Sequence, residues 1–277
     1  MDKKNIEKLL NFGIIVLDKP SGPTSFSISD FVRKTLNLKK TSHFGTLDPQ
    51  VTGVLPIALG RACRLTGFFL GHDKTYVGIL RTHKNISLRE LQDLINKKFL
   101  GKIKQLPPRK SRVKRAVRER EIKNFELVEK RGNDFLFFSE VQGGTYIRKL
   151  CSDLGELIGG AHMLELRRSK AGIFSEDKMV DLYDFEKAFE EYKNGNYKNL
   201  EKMIIPAETA IKKIFESVEL KKESLKKILT GKPLAERDLE SLPEDEIFAV
   251  FHEKEFIEIA EKTKENDFFA RPKFVLN

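Results

Sequence analysis

The chain has 277 residues, 40% apolar and 33% charged, enough for one large or two smaller globular domains with real cores. Its formal charge is +10, and residues 201–277 carry 14 Lys plus Arg against 17 Asp plus Glu, a net −3, which leaves +13 on residues 1–200; the first two thirds therefore suit a polyanionic partner. No run approaches the ~18 apolar residues of a membrane span, and MDKKNIEKLL does not read as a secretory signal. Cys63 and Cys151 stand outside any CxxC or Cys/His cluster. Zinc within the chain is not expected, and two buried free thiols in a reducing cytoplasm are.

Residues 5–11 read as a short helix and GIIVL, 13–17, as a buried strand. DKPSGPTS, 18–25, is a loop, broken by two prolines and a glycine. Ser25 then caps a helix over 26–36, with Phe26, Ile28, Phe31, Val32 and Leu36 along one approximate apolar face. The loop SHFGTLDPQVTGVLP, 42–56, leads into a strand at VLPIAL, followed by a helix over 61–70, a strand at KTYVGILRT (74–82) and an amphipathic helix over 88–99. Residues 97–123 hold twelve Lys and Arg against Glu119 and Glu121. Strands over 122–129 and 135–141 flank RGND as a hairpin. GGTYIRKLCSDLGELIG reads as a glycine turn entering a helix, and AHMLELRRSKAG as a strand with a basic end.

The Asn-rich EEYKNGNYKN, 190–199, reads as a surface connection. Beyond about residue 215 the elements shorten: VEL, a helix at SLKKILTG, then FAVF and FIEIA flanking HEKE. The division expected is a catalytic domain over 1–212 and a small β-rich domain over 213–277, without internal repeats. Strands and helices that alternate with hairpins predict an α+β protein with a mixed sheet.

Asp48 lies between Leu47 and Pro49, in a segment where Gly45 and Gly53 allow backbone angles closed to other residues. An acid fixed in that way is a turn cap or a chemical group. Combined with Tyr76 in KTYVG, Tyr146 and Arg148 in GGTYIRK, and the basic stretch 106–120, it fits chemistry on a base of RNA. Such an enzyme takes a nucleotide out of its stack and holds it against an aromatic face. Tyr76 supplies the face, Tyr146 a second wall or a proton relay, and Asp48 a nucleophile or base. Arg148 pairs with Asp48, holding it ionised and oriented. The cations hold phosphates.

At these motifs the chain closely resembles the TruB/dyskerin family of RNA pseudouridine synthases, and in particular the archaeal catalytic subunit of H/ACA guide particles. The similar pieces are GIIVLDKPSGPTS, HFGTLDPQVTGVLPIALGRACRL, KTYVG, LPPRKSRVKRAVRERE, GGTYIRKL and GAHMLELRRSKAG, in the family's order. GKPL near the end resembles part of a PUA domain, an RNA-binding appendage. The resemblance implies a mixed-sheet pseudouridine synthase domain followed by a PUA-like domain. It makes Asp48 the catalytic aspartate, Tyr76 the ring that stacks on the target base, Tyr146 its partner, Arg148 the counter-ion of Asp48 and Leu166 an apolar wall. His43 lies near the RNA entry, and Lys19, counted with the substrate-binding set, supports the catalytic loop with Pro20. Arg112, Lys114, Arg115 and Arg118 clasp RNA, while Gly231, Lys232 and Leu234 hold a distal RNA end through backbone groups. No metal and no cofactor are implied. The partners implied are guide RNA, target rRNA or tRNA, a small zinc-containing subunit, a glycine/arginine-rich subunit and a kink-turn-binding ribosomal-type protein.

Two departures from the family pattern stand out. Phe44 occupies a position where a second glycine is common, with a consequence for how closely RNA approaches that loop. The N-terminal extension that packs on the PUA domain in archaeal and eukaryotic members is nearly absent. The activity expected is isomerisation of uridine to pseudouridine under a guide. The alternatives are a stand-alone tRNA enzyme acting on the TΨC loop and, in another class, a non-enzymatic RNA scaffold. A scaffold makes no demand for Asp48, Tyr76 and Arg148 together.

Overall fold

GIIVLDK forms β1 (Gly13–Lys19), buried along nearly its whole length because the sheet is covered on both faces there. The computed structural model describes residues 3–107, 114–263 and 268–277. In spatial order β10 (Ile204–Pro206), β1, β3 (Thr52–Leu59), β8 (Ala161–Ala171), β4 (Lys74–Thr82), β7 (Asp134–Val141), β6 (Arg118–Arg131) and β5 (Gly101–Gln105) form one sheet. The short β2 (Thr41–His43) pairs with β3, and β9 (Phe174–Ser175) with β8. Adjacent strands of this sheet run antiparallel except β3 and β8. These two pair in parallel over Thr52–Arg167 and Gly53–Arg168, and the sheet divides into two halves at this short joint.

Each half has its own core. Helices α1 (Lys3–Asn11), α2 (Ser25–Thr35), α6 (Leu182–Lys193) and α7 (Lys198–Met203) bury Ile6, Leu9, Ile28, Val32, Phe185, Ala188 and Leu200 against Ile15, Leu17, Leu55 and Ile57. Helices α4 (Leu88–Lys98) and α5 (Ile147–Ile158) cover the other half with Leu91, Ile95, Ile147, Leu150, Cys151 and Leu154. Ser87 opens α4 with a reciprocal cap to Glu90, a device worth ~1 kcal/mol. Cys151 is buried and Cys63 partly so, and burial pushes their thiols up to about 12 and about 11. Both are therefore protonated, inert thiols at neutral pH.

Several expected elements shift. Thr24, not Ser25, caps α2, accepting from Ser27 N–H at 3.0 Å. The helix expected over 61–70 splits into a tight 3₁₀ segment, Gly60–Leu65, and α3 (Thr66–Leu70). The strand expected over 122–129 extends in both directions as β6, and β5 beside it was not anticipated. The expected connection at 190–199 is helical up to Lys193, then turns into α7 at Lys198. Phe185 lies in the core, while Phe189 and Tyr192 stack partly buried, 5.9 Å between centroids.

A short helix, α8 (Ala207–Ile211), leads to a second sheet of order β11 (Ser217–Glu219), β12 (Ile247–His252), β13 (Glu255–Lys262) and β14 (Ala270–Val275). β12 and β13 form the hairpin expected around HEKE, turning through Glu253 and Lys254 at φ 48° and 72°, the left-handed pair that a two-residue turn needs. One face of this sheet packs under α9 (Leu225–Ile228), around Ile228, Phe248, Val250 and Ile257. The other meets the first domain. There Phe12 stacks on Phe256 at 5.6 Å and touches Phe274 at 6.1 Å, Arg64 lies 4.6 Å over Phe274 and Lys212 4.3 Å over Phe251. These contacts seat the small domain on the first. Among the described residues no helix is long and apolar enough to cross a membrane.

Candidate active site

The loop that carries Asp48 crosses the joint between the two half-sheets and is fastened from below. Lys19, at the end of β1, is fully buried, and its ammonium donates to the carbonyls of Pro49 (2.7 Å), Val51 (2.8 Å) and Pro20 (2.8 Å). Burial lowers its pKa, an effect that the charge of Asp48 partly offsets. Lys19 therefore lies beneath the loop. This corrects its placement among the substrate-binding residues and agrees with the supporting role expected alongside it. Ser25, fully buried, accepts from Leu47 N–H at 2.8 Å and donates to Leu47 C=O at 3.1 Å. Gly22 N–H donates to Pro49 C=O at 2.9 Å.

Arg168 holds the same loop from β8. It is 1% exposed and donates from Nε to Val54 C=O at 2.9 Å and from Nη2 to Gly45 C=O at 3.0 Å. Gly53 has φ 101°, and a Cβ there would stand 2.3 Å from the Arg168 carbonyl oxygen, so glycine is required on both counts. The outcome is a backbone held at several points with one acid, Asp48, left 39% exposed at its crest.

Arg148, in the first turn of α5, reaches across to Asp48, with Nη1 3.1 Å from Oδ2. Tyr76 on β4 is nearly buried and belongs to the same apolar core as Leu47, Val51 and Leu166. Tyr146 immediately precedes α5. Its backbone is gripped by Gln105 at the end of β5, whose Oε1 accepts from Tyr146 N–H at 2.9 Å and whose Nε2 donates to Tyr146 C=O at 3.1 Å. His43 approaches Thr46 Oγ1 at 3.1 Å through Nε2. Burial, reinforced by Arg168, holds its imidazole below the usual range and so neutral at pH 7.

Phe44 turns inward. It is 1% exposed and stacked on Phe69, 4.7 Å between centroids and 5° from parallel. The phenyl group thus fills a core position, and the expected effect on RNA approach has no basis in the fold. Lys114 and Arg115 are exposed and Arg118 is half-buried; Arg112 lies outside the described residues. In the small domain Gly231 has φ 80° with open space at its Cα, and Lys232 is exposed. Leu234 is fully buried in the small-domain core. Its N–H donates to Ala270 C=O at 2.9 Å and its carbonyl accepts from Phe269 N–H at 2.8 Å. Both backbone groups are committed to the fold, which corrects its expected RNA contact. Among the described residues no three of His, Cys, Asp and Glu gather as metal ligands would.

Residues 33–147 match the N-terminal domain of TruB family pseudouridylate synthases, and residues 148–212 the C-terminal domain of tRNA pseudouridylate synthase B. A probable tRNA pseudouridine synthase B of Methanocaldococcus jannaschii is 42% identical over 242 residues, 87% of this chain and 71% of that protein. The chain belongs to the TruB family. A second probable tRNA pseudouridine synthase B, from Archaeoglobus fulgidus, is 40% identical over 90% of this chain and 78% of its own length; a relative from Methanococcus maripaludis is spanned over 62% of its length. This TruB-family chain also matches solved structures. In a Cbf5–Nop10–Gar1 complex the likeness covers 98% of this chain and 86% of the other, at 33% identity and a TM-score of 0.88. In an H/ACA RNP bound to a substrate RNA containing 2′-deoxyuridine it covers 98% and 87%, at 32% identity and 0.86. The chain is an RNA pseudouridine synthase, with the mixed-sheet domain and smaller β domain of the Cbf5 architecture.

Proposed function

We propose that this chain isomerises a guide-selected uridine in rRNA or tRNA, with Asp48 as the catalytic group and residues 213–277 as a PUA-like domain distinct from the catalytic domain over 1–212. The observation that carries the reading is Asp48 itself: a carboxylate on a backbone tied down by Lys19, Ser25 and Arg168, facing Arg148 at 3.1 Å. In the isomerisation the N1–C1′ bond of the uridine breaks, the base turns, and a C5–C1′ bond forms; C5 loses its proton and N1 gains one, so the atoms balance without a redox partner. A fixed carboxylate serves as the nucleophile or base that starts this sequence, and Arg148 orients it. Tyr76 and Leu166 supply the walls against which the extracted base lies, and Tyr146 closes the pocket. Lys114, Arg115 and Arg118 hold phosphates.

Support for guided action comes from the likeness to chains solved with Nop10 and Gar1, over 98% of this chain. Guide RNA, a Nop10-like and a Gar1-like subunit are therefore the proposed partners, in a cytoplasmic particle, with a kink-turn-binding protein held through the guide. A second reading, a stand-alone tRNA enzyme, is favoured by the names of the relatives from M. jannaschii and A. fulgidus. Sequencing RNA that co-purifies with the chain separates the two: hairpin guides ending in ACA support the first, tRNA alone the second. For the chemistry, Asp48→Asn is expected to abolish pseudouridine formation, measured by mass spectrometry of the RNA, with binding little changed. Normal turnover by that variant would remove Asp48 from its assigned role.

A further inference from the structure

Gln105 of β5 and Glu121 of β6 both bond the turn that presents Tyr146 and begins the helix of Arg148. Gln105 is 2% exposed, with both polar atoms of its amide spent on the backbone of Tyr146. Glu121 N–H donates to Gln142 Oε1 at 3.2 Å, and Gln142 N–H donates to Glu121 C=O at 2.8 Å. Beside them the guanidinium of Arg120 lies against Gly144, where a Cβ would stand 3.1 Å from Nη2. Lys114 and Arg115 precede β6, whose first residue, Arg118, pairs with Gln105, so these cations adjoin a strand pair fastened to residues 142–146.

A buried strand end of this kind could be filled by an apolar side chain without any desolvation of an amide. Gln105 instead meets the cost of burial by bonding both sides of a single residue. That residue stands at the N-terminal boundary of α5, where no side chain of its own supplies a cap. The grip fixes where the helix starts, and with it the tyrosine ring and, two residues on, the guanidinium that faces Asp48.

We propose that Gln105 is a positioning residue: it sets the placement of Tyr146 and Arg148 against Asp48 and couples that placement to the hold of Lys114, Arg115 and Arg118 on RNA. The proposal rests on the reading of the chain as an RNA pseudouridine synthase. Gln105→Met keeps the volume and loses both hydrogen bonds; Gln105→Glu keeps the acceptor and loses the donor. In single-turnover assays with enzyme saturating, the Met variant is expected to convert target RNA ~10–100-fold more slowly, the scale of a slightly misplaced catalytic group, with RNA affinity and its salt dependence unchanged and the Glu variant in between. Combined with alanine at Lys114, Arg115 and Arg118, the Met change should slow the reaction by less than the product of the separate effects.

A readout independent of activity uses 3-fluorotyrosine in place of the chain's five tyrosines. The fluorine resonance of Tyr146, assigned through Tyr146→Phe, is expected to shift in the free Met variant while that of Tyr76 stays. A folded Met variant with wild-type single-turnover rate, or with an unmoved Tyr146 resonance, overturns the positioning role; fully multiplicative losses with the loop variant overturn the coupling. Should the wild type make no pseudouridine, the functional reading falls, and the fluorine signal still decides for or against Gln105.

Discussion

Arg148 Nη1 lies 3.1 Å from Asp48 Oδ2, although the acid precedes β3 and the arginine opens α5, far apart in the chain. The two side chains are 44% and 39% exposed, so water screens the pair and its share in stability is small, ~0.5 kcal/mol or less. Arg148→Ala should therefore leave the denaturation midpoint almost unchanged while slowing single-turnover conversion by ~10²–10³-fold, the cost of losing one organising charge at a reacting centre. Arg148→Lys, which keeps the charge without the planar fork, should fall between. An Ala variant as fast as wild type would show that the pair does not organise the acid.

Gly53 and Gly22 make a matched pair for testing the loop. Both have positive φ, 101° and 112°, but a Cβ at Gly53 would collide with the Arg168 backbone whereas Gly22 has nothing within 4 Å. Gly22→Ala should cost ~1 kcal/mol from backbone strain alone. Gly53→Ala should cost ~3 kcal/mol or more, since the parallel pairing to β8 must open, and should lower activity through displacement of Asp48. Urea denaturation of both variants checks the order.

Replacing Lys114, Arg115 and Arg118 with alanine should weaken RNA binding and flatten its salt dependence by about 2 in the log–log slope, near 0.7 for each phosphate contact on single-stranded RNA. Gly231→Ala, on an open turn, should leave that slope almost unchanged. Titrations at several salt concentrations measure both, and an unaltered slope in the loop variant would mark these cations as a solvated face.

Glu258, in β13, is fully buried, and among the described residues neither carboxylate oxygen has a hydrogen-bond partner. Burial raises its pKa to about 8. With the folded value above the ordinary 4.5, the native state holds the proton more tightly, so stability is fully present below pH 4.5 and declines as pH rises toward 8. At pH 7 the loss is on the order of 3 kcal/mol. Glu258→Gln should thus raise the melting temperature at pH 7 and change it little at pH 4.5.

Residues next to a turn signal were legible in the chain. Asp48 before its proline, Tyr76 on a strand of alternating pattern, and Tyr146 with Arg148 after a glycine pair all announce themselves locally, as does the HEKE hairpin. Leu234 misled, because a residue next to the exposed Lys232 turn can still point into a core. Lys19 aside, what held the site together was not legible. Ser25 read as a helix cap, yet its hydroxyl bonds Leu47, and Arg168 looked like one more cation at a basic strand end. Gln105 precedes a Pro-rich stretch with no visible reason to face Tyr146. Each of these side chains acts through backbone groups 22 to 123 residues away in the chain, and such pairings leave no periodicity or spacing to read. β5 was missed for a related reason: three of its five residues are exposed, so it lacks the alternation that marks a half-buried strand.

The aromatic seam at Phe12, Phe256 and Phe274 bears on how the molecule comes apart. Phe12 also belongs to the layer that contains Ile14 and Val16 of β1 and Ala207 and Ile211 of α8, so the boundary near residue 212 runs through continuous packing and not along a solvated tether. A chain severed there would present Phe251, Phe256, Ile259 and Phe274 to water on one fragment and Phe12 with Ile14 on the other. The two domains named by their sheets are in this sense a single cooperative body, and melting would be expected to register them together.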